Sequence, residues 1–123
     1  MKILFIEDEQ NLQAIMSRYL EKEGFSVLQA YDGERGSQLA RDGKPDLVLL
    51  DIILPKKDGF AVLKEMKENP ETKEIPVIIL TNLERSEDIE RAVGLGAYSY
   101  LVKTNYEPRD IVERIKKILQ PKS

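Results

Sequence analysis

Leu47-Val48-Leu49-Leu50 is an apolar run with no polar residue on either side of the pleat, and it stops at a carboxylate, Asp51. A strand with one face in water alternates polar and apolar residues. A strand without alternation is buried on both faces, as in a parallel sheet held between helices. Similar runs lie to either side. Ile3-Leu4-Phe5-Ile6 and a weaker segment from Phe25 to Ala30 precede it; Val77-Ile78-Ile79-Leu80 and the segment Tyr98 to Val102 follow.

The intervening stretches have helical periods. Leu12, Ile15, Met16, Tyr19 and Leu20 predict one stripe facing a core, closed at Gly24 by a left-handed cap. Phe60, Leu63 and Met66 predict a second helix, with Asp58 as N-cap before Gly59. Ile89, Ala92 and Val93 predict another, with Glu87 and Asp88 suited to its N-terminus, and Ile111, Ile115, Ile118 and Leu119 the last. Gly33 to Asp42 is the weakest helix, because an interior glycine such as Gly36 costs about 1 kcal/mol. Glu68 to Pro76 reads as a polar connection. The order is βα five times over. It predicts a three-layer α/β/α sandwich around a five-stranded parallel sheet, with the flavodoxin-like order 2-1-3-4-5.

The chain has 123 residues, 41% hydrophobic and 33% charged, which suits one domain, taken as residues 1–120 with a tail over 121–123. There is no Cys, which excludes disulfides, thiolate zinc sites and a cysteine nucleophile. There is no His, which excludes His-dependent triads and phosphohistidine on this chain. Nineteen basic against 22 acidic residues, net charge -3, argue against direct nucleic-acid binding or an anionic membrane surface. No apolar run is long enough to span a bilayer, and no cleavage-type site follows Met1-Lys2, so the expectation is a soluble, cytoplasmic protein.

In the 2-1-3-4-5 order the switch point lies between strands 1 and 3, and ligands bind beyond the carboxyl ends of the strands there. Glu7-Asp8-Glu9 follows strand 1 and Asp51 follows strand 3. Gathered carboxylates repel one another unless a cation compensates. Mg²⁺, which takes carboxylates, carbonyls and waters, is the natural partner. A plainer reading makes Asp8 a helix cap and leaves Glu7 solvated. Strand 4 ends in Thr81, whose hydroxyl can donate to an anionic oxygen, and strand 5 ends in Lys103. Each could be an ordinary strand-end residue; together at one sheet edge they form a constellation. A carboxylate facing a metal, an ammonium and a hydroxyl is suited to attack a phosphoryl group. Asp51 would become an aspartyl phosphate.

These residues resemble the receiver domain of bacterial two-component response regulators (CheY-like). The resemblance runs from Lys2 to about Leu119. It rests on Glu7-Asp8, on Leu49-Leu50-Asp51-Ile52-Ile53-Leu54-Pro55 with Asp58-Gly59, and on Thr81, Gly96-Ala97, Tyr100 and Lys103. It implies that Asp51 is the phospho-acceptor. Glu7, Asp8, Asp51 and the Ile53 carbonyl would hold Mg²⁺. Thr81 and Tyr100 would be the switch pair, and Lys103 would contact the phosphate. The implied donor is a sensor histidine kinase or histidine phosphotransfer protein. The implied readout is a surface of helix 4, strand 5 and helix 5, read by a downstream effector protein or a fused output domain. The oligomeric state would be a monomer or a weak phosphorylation-linked dimer. The chain would catalyse its own phosphorylation and dephosphorylation rather than act on external substrates. Only Gln120-Pro121-Lys122-Ser123 follow the fifth helix, so a stand-alone regulator and a fragment of a longer one are both open.

The chain departs from the family pattern in three places. Lys103 is followed by Thr104 instead of proline, which leaves a cis or a trans bond open, a cis non-proline bond costing about 2.5–4 kcal/mol. Asn82 replaces a small residue after Thr81 and is expected to crowd the passage between Thr81 and Tyr100. Ile53 and Leu83 are both apolar and are expected to shield an acyl phosphate from water. The Lys103-Thr104 step also leaves open an alternative, a phosphorylation-independent interaction module. An FMN carrier would need a Ser/Thr/Gly-rich loop after strand 1, and a haloacid-dehalogenase-type phosphatase a second acid at position 53; neither is present.

Overall fold

A computed structural model describes residues 1–120; the expected tail, 121–123, lies outside the described residues. Five parallel strands, β1 (Lys2–Ile6), β2 (Ser26–Ala30), β3 (Leu47–Leu50), β4 (Val77–Thr81) and β5 (Ser99–Val102), pair in the order β2-β1-β3-β4-β5. They alternate with α1 (Gln10–Lys22), α2 (Gly33–Asp42), α3 (Gly59–Glu68), α4 (Ser86–Gly94) and α5 (Pro108–Leu119). The expected order and layering are therefore found. Strand β2 starts one residue later than predicted, at Ser26, and β5 starts at Ser99, leaving Tyr98 outside and exposed.

The absence of alternation in the strands is accounted for by two apolar layers. Leu4, Ile6, Val48, Leu50, Val77 and Ile79 face one layer, filled by Phe60, Leu63 and Met66 of α3 with Ala40 of α2 and Ala92 of α4. Ile3, Phe5, Leu47, Leu49, Ile78 and Leu80 face the other, filled by Met16 and Leu20 of α1 with Ile111, Val112 and Ile115 of α5. Successive residues point to opposite faces, so each strand supplies both layers.

Two expectations about helices are corrected. On α1, Met16 and Leu20 are core residues, but Ile15 and Tyr19 are 45% and 42% exposed, and the buried neighbour on that face is Gln13. On α4 only Ala92 is buried, and Val93 stands in solvent. Asp58 does cap α3, its Oδ1 accepting from the Ala61 N–H at 2.9 Å. Gly24 has φ +91°, the left-handed geometry expected after α1.

Helix α2, the weakest in sequence, forms over Gly33–Asp42. Its Asp32 cap accepts from the Arg35 N–H at 2.8 Å. Gly36 is buried against β1; a Cβ there would come within 2.7 Å of the Ile6 side chain. The glycine is needed for close approach of helix to sheet.

Candidate functional site

The carboxyl ends of β1 and β3 sit side by side, since β1 pairs with β3. Backbone bonds carry both strands one residue further. The Glu7 N–H donates to the Ala30 carbonyl at 2.9 Å and the Asp51 N–H to the Ile6 carbonyl at 3.0 Å. The two side chains therefore emerge beside each other. Glu7, Asp8 and Asp51 each bring a carboxylate oxygen within 4.8 Å of the other two. Asp51 is 4% exposed, Glu7 is fully buried and Asp8 is open to solvent. Asp8 does not cap α1: the N-cap is Glu9, and no side chain bonds there.

Lys103 follows β5 in a short 3-10 turn, Lys103–Asn105, and reaches across β4 to this pair. Its Nζ donates to Asp51 Oδ2 at 2.8 Å and lies 2.7 Å from Glu7 Oε1. No peptide bond among the described residues is cis, so Lys103-Thr104 is trans and the lysine still arrives. Burial disfavours its charge, but the contacts with Asp51 and Glu7 outweigh that and raise its pKa above the ordinary value.

Glu7 shows the opposite balance. Burial raises its pKa, the Lys103 contact and the Glu9 N–H lower it, the Asp51 charge raises it again, and the result is about 7. Glu7 Oε2 accepts from the Glu9 N–H at 3.0 Å. Glu7 Oε1 is buried and, although close to the ammonium, has no aligned donor. Three carboxylates, each with an oxygen within 4.8 Å of the others, form a hard oxygen donor set that suits a divalent cation better than a softer metal. Asp51 Oδ1 accepts only a long bond, 3.3 Å, from the Ile53 N–H.

Thr81 ends β4 fully buried, its Oγ1 accepting from the Leu83 N–H at 3.4 Å. Tyr100, on neighbouring β5, is half-buried, and its hydroxyl donates to the Leu83 carbonyl at 2.7 Å. The ring already packs against the apolar layer on the α3 side. Asn82 is exposed, so it does not crowd the passage between them. Ile53 is 58% exposed, whereas Leu83 packs into the apolar layer.

The loop after β3 is held from below. A Cβ on Gly59 would overlap the Asp51 carbonyl oxygen, so only glycine lets α3 start against the strand end. Lys57 Nζ donates to Ser37 Oγ at 3.1 Å and to Glu65 Oε2 at 2.6 Å, and Arg41 donates to Glu65 Oε1 at 2.7 Å. This α2–α3 brace was not read from the sequence. Its members lie far apart in the chain and each looks like an ordinary surface charge.

A doubly wound sheet whose switch edge gathers three acids, a hydroxyl and an ammonium defines the class: an α/β domain built around one acidic crevice. The chain belongs to the response regulator receiver domain family, whose family model matches residues 3–116. It is 41% identical to the transcriptional regulatory protein CpxR of Klebsiella pneumoniae, covering 97% of this chain and 49% of the relative. It is 36% identical to the alkaline phosphatase synthesis transcriptional regulatory protein PhoP of Bacillus subtilis, covering 97% and 48%. The chain thus spans about half the length of these curated relatives. Among solved structures, the BeF3-activated N-terminal receiver domain of Klebsiella pneumoniae RstA superposes with a TM-score of 0.88 at 30% identity, covering 98% of this chain and 100% of that one. The Mn²⁺-bound form of response regulator Rcp1 gives 0.80 at 31% identity, covering 95% and 90%. No described helix is long and apolar enough to cross a membrane.

Proposed function

We propose that this chain is a phosphorylation-dependent switch of a two-component phosphorelay, with Asp51 as phospho-acceptor. The observation that carries the reading is the buried Asp51 carboxylate, 2.8 Å from the Lys103 ammonium and beside Glu7 and Asp8. An Asp51 oxygen attacks the phosphorus of a phosphohistidine on a sensor histidine kinase or phosphotransfer protein. The P–O bond forms as the P–N bond breaks, and the imidazole leaves with its bonding electron pair. Lys103 neutralises one phosphoryl oxygen, and the Thr81 hydroxyl donates to another once it turns from Leu83. Glu7, Asp8, Asp51 and the Ile53 carbonyl would hold Mg²⁺, which when bound neutralises charge on the transferred group. Later attack by water returns Asp51 to a carboxylate and releases inorganic phosphate. The exposed Ile53 supports a role in shielding the acyl phosphate; Leu83, packed inward, does not.

Readout follows from Thr81 and Tyr100, which share Leu83 as a partner and couple the crevice to the surface of α4, β5 and α5. That surface would serve an effector protein or a fused output domain, with the receiver a monomer or a weak phosphorylation-linked dimer in the cytoplasm. The CpxR and PhoP relatives, both named as transcriptional regulators, are consistent with a fused output. The phosphorylation-independent alternative drew on the Lys103-Thr104 step, and the short Lys103–Asp51 contact speaks against it.

Mass spectrometry after incubation with Mg²⁺ and acetyl phosphate tests the reading. The chain should gain one phosphoryl group, and Asp51→Asn should gain none. Equal labelling of both would end it. Ile53→Asn should lose its phosphate faster than the unaltered chain, followed by release of inorganic phosphate; an unchanged rate would remove the shielding role.

A further inference from the structure

Gln13 is a fully buried polar side chain on α1 that none of the phosphoryl chemistry above uses. Its Nε2 contacts three backbone carbonyls: Phe5 at 2.9 Å, Glu7 at 3.2 Å and Ala30 at 2.9 Å. An amide nitrogen has two hydrogens, so three acceptors share two donors. The side-chain orientation is settled by this environment. Turning the amide over would set its oxygen against three carbonyl oxygens. The Oε1 atom is buried and has no partner.

The three carbonyls are not scattered. Phe5 is the next-to-last residue of β1, Ala30 ends β2, and Glu7 is the first residue beyond β1. Ala30 O also accepts the Glu7 N–H at 2.9 Å, so Gln13 grips the carbonyl that pins the Glu7 backbone. The Glu7 carbonyl itself precedes Asp8. One amide from the helix therefore ties together the strand end, the neighbouring strand end and the peptide between the two acids.

A residue of this kind is expensive to bury. An apolar side chain would satisfy the α1 packing, as Met16 and Leu20 do on the same helix. A buried amide with one unpaired oxygen carries a desolvation penalty that packing alone does not explain. Its bonds go to the ends of β1 and β2 and to the Glu7 carbonyl, the backbone from which the turn carrying Glu7 and Asp8 departs.

We propose that Gln13 is a positioning residue for the acidic turn: by holding the Phe5, Glu7 and Ala30 carbonyls it fixes the pose of Glu7 and Asp8 and so sets the affinity of the crevice for a divalent cation. The inference rests on the Mg²⁺ site proposed above, and it concerns binding, with no claim on the transfer step.

Gln13→Met keeps side-chain length and apolar packing while removing the donors. Calorimetric titration with Mg²⁺ should show binding weakened by about tenfold, the size of loss typical when groups that orient metal ligands are removed. A destabilised control, Ile115→Val on α5 in the same apolar layer, should melt lower yet bind Mg²⁺ as the unaltered chain does. If Gln13→Met melts lower but binds Mg²⁺ within about twofold of the unaltered chain, well short of the loss that removing an orienting group brings, Gln13 is a packing residue and the proposal falls. A measurement without mutation guards against a variant that does not fold. In the unaltered chain the Gln13 side-chain amide resonances should shift during a Mg²⁺ titration with the same midpoint as the Asp8 backbone amide. Resonances that stay fixed through saturation would overturn the proposal. If the unaltered chain binds no Mg²⁺ at all, the metal site fails, and this inference fails with it. If it binds and accepts phosphate while Gln13→Met binds equally well, only the inference fails.

Discussion

Glu7 is a carboxyl group with no exposure, one ammonium beside it and a pKa raised to about 7 by burial. In the metal-free protein the folded state holds that proton more tightly than the unfolded chain. The stability it contributes is full below the ordinary value of 4.5 and is lost as pH rises through about 7. A metal ligand must be deprotonated, so Mg²⁺ binding should release a proton and tighten between roughly pH 6 and pH 8. Titrations in buffers of different ionisation enthalpy measure that proton; a pH-independent affinity with no proton released would contradict the assignment. The residues of the crevice were legible in the sequence because topology alone determines which strand ends share an edge. Glu7, Asp8, Asp51, Thr81 and Lys103 each follow an apolar run, and the parallel order brings those runs' carboxyl ends together. Gln13 was not legible: a polar residue between Leu12 and Met16 reads as the wet face of a helix until the carbonyls it meets are seen.

Helices α1 and α2 show where periodicity succeeds and where it misleads. The α1 spacing of Leu12, Met16 and Leu20 marks the buried stripe, but Ile15 and Tyr19 share the apolar type without the burial. Periodicity registers residue type, and a helix packed on only one side leaves the margins of a wide stripe in water. In α2 the propensity of Gly36 argued against a helix, whereas tertiary packing demands it. The two effects have opposite signs for Gly36→Ala. Helix propensity favours alanine by about 1 kcal/mol. Against that, the new Cβ would sit 2.7 Å from Ile6 Cδ1 and 2.9 Å from Cγ2, in a side chain with no exposure to solvent. Overpacking of this kind costs about 1–3 kcal/mol, so packing should win and the variant should melt lower. Thermal unfolding decides it, and a rise in melting temperature would show that β1 and α2 separate more easily than the packing implies.

At the scale of the whole molecule, Leu83 bonds to both Thr81 and Tyr100 and so links the end of β4 to β5. Its N–H is held by Thr81 Oγ1 at 3.4 Å, longer than an ordinary bond, and its carbonyl by the Tyr100 hydroxyl at 2.7 Å. The weak contact is the one that phosphorylation would break. A charge-assisted bond from Thr81 to a phosphoryl oxygen is stronger than the bond it gives up, so Thr81 should turn whenever the group is present. Leu83 is then released on the Thr81 side and held only by Tyr100. Tyr100 packs against the apolar layer with its hydroxyl on the Leu83 carbonyl, so a change at Thr81 would reach β5 through Leu83. Removing the Tyr100 hydroxyl should therefore uncouple the two regions without damaging the crevice. With Mg²⁺ and beryllium fluoride as the phosphoryl mimic, the amide resonances of residues 51–53 in Tyr100→Phe should shift as far as in the unaltered chain. Those of α4, Ser86–Gly94, should shift much less. Equal shifts in α4 for both proteins would mean that the signal reaches this face by another route, and Leu83 would then be a bystander.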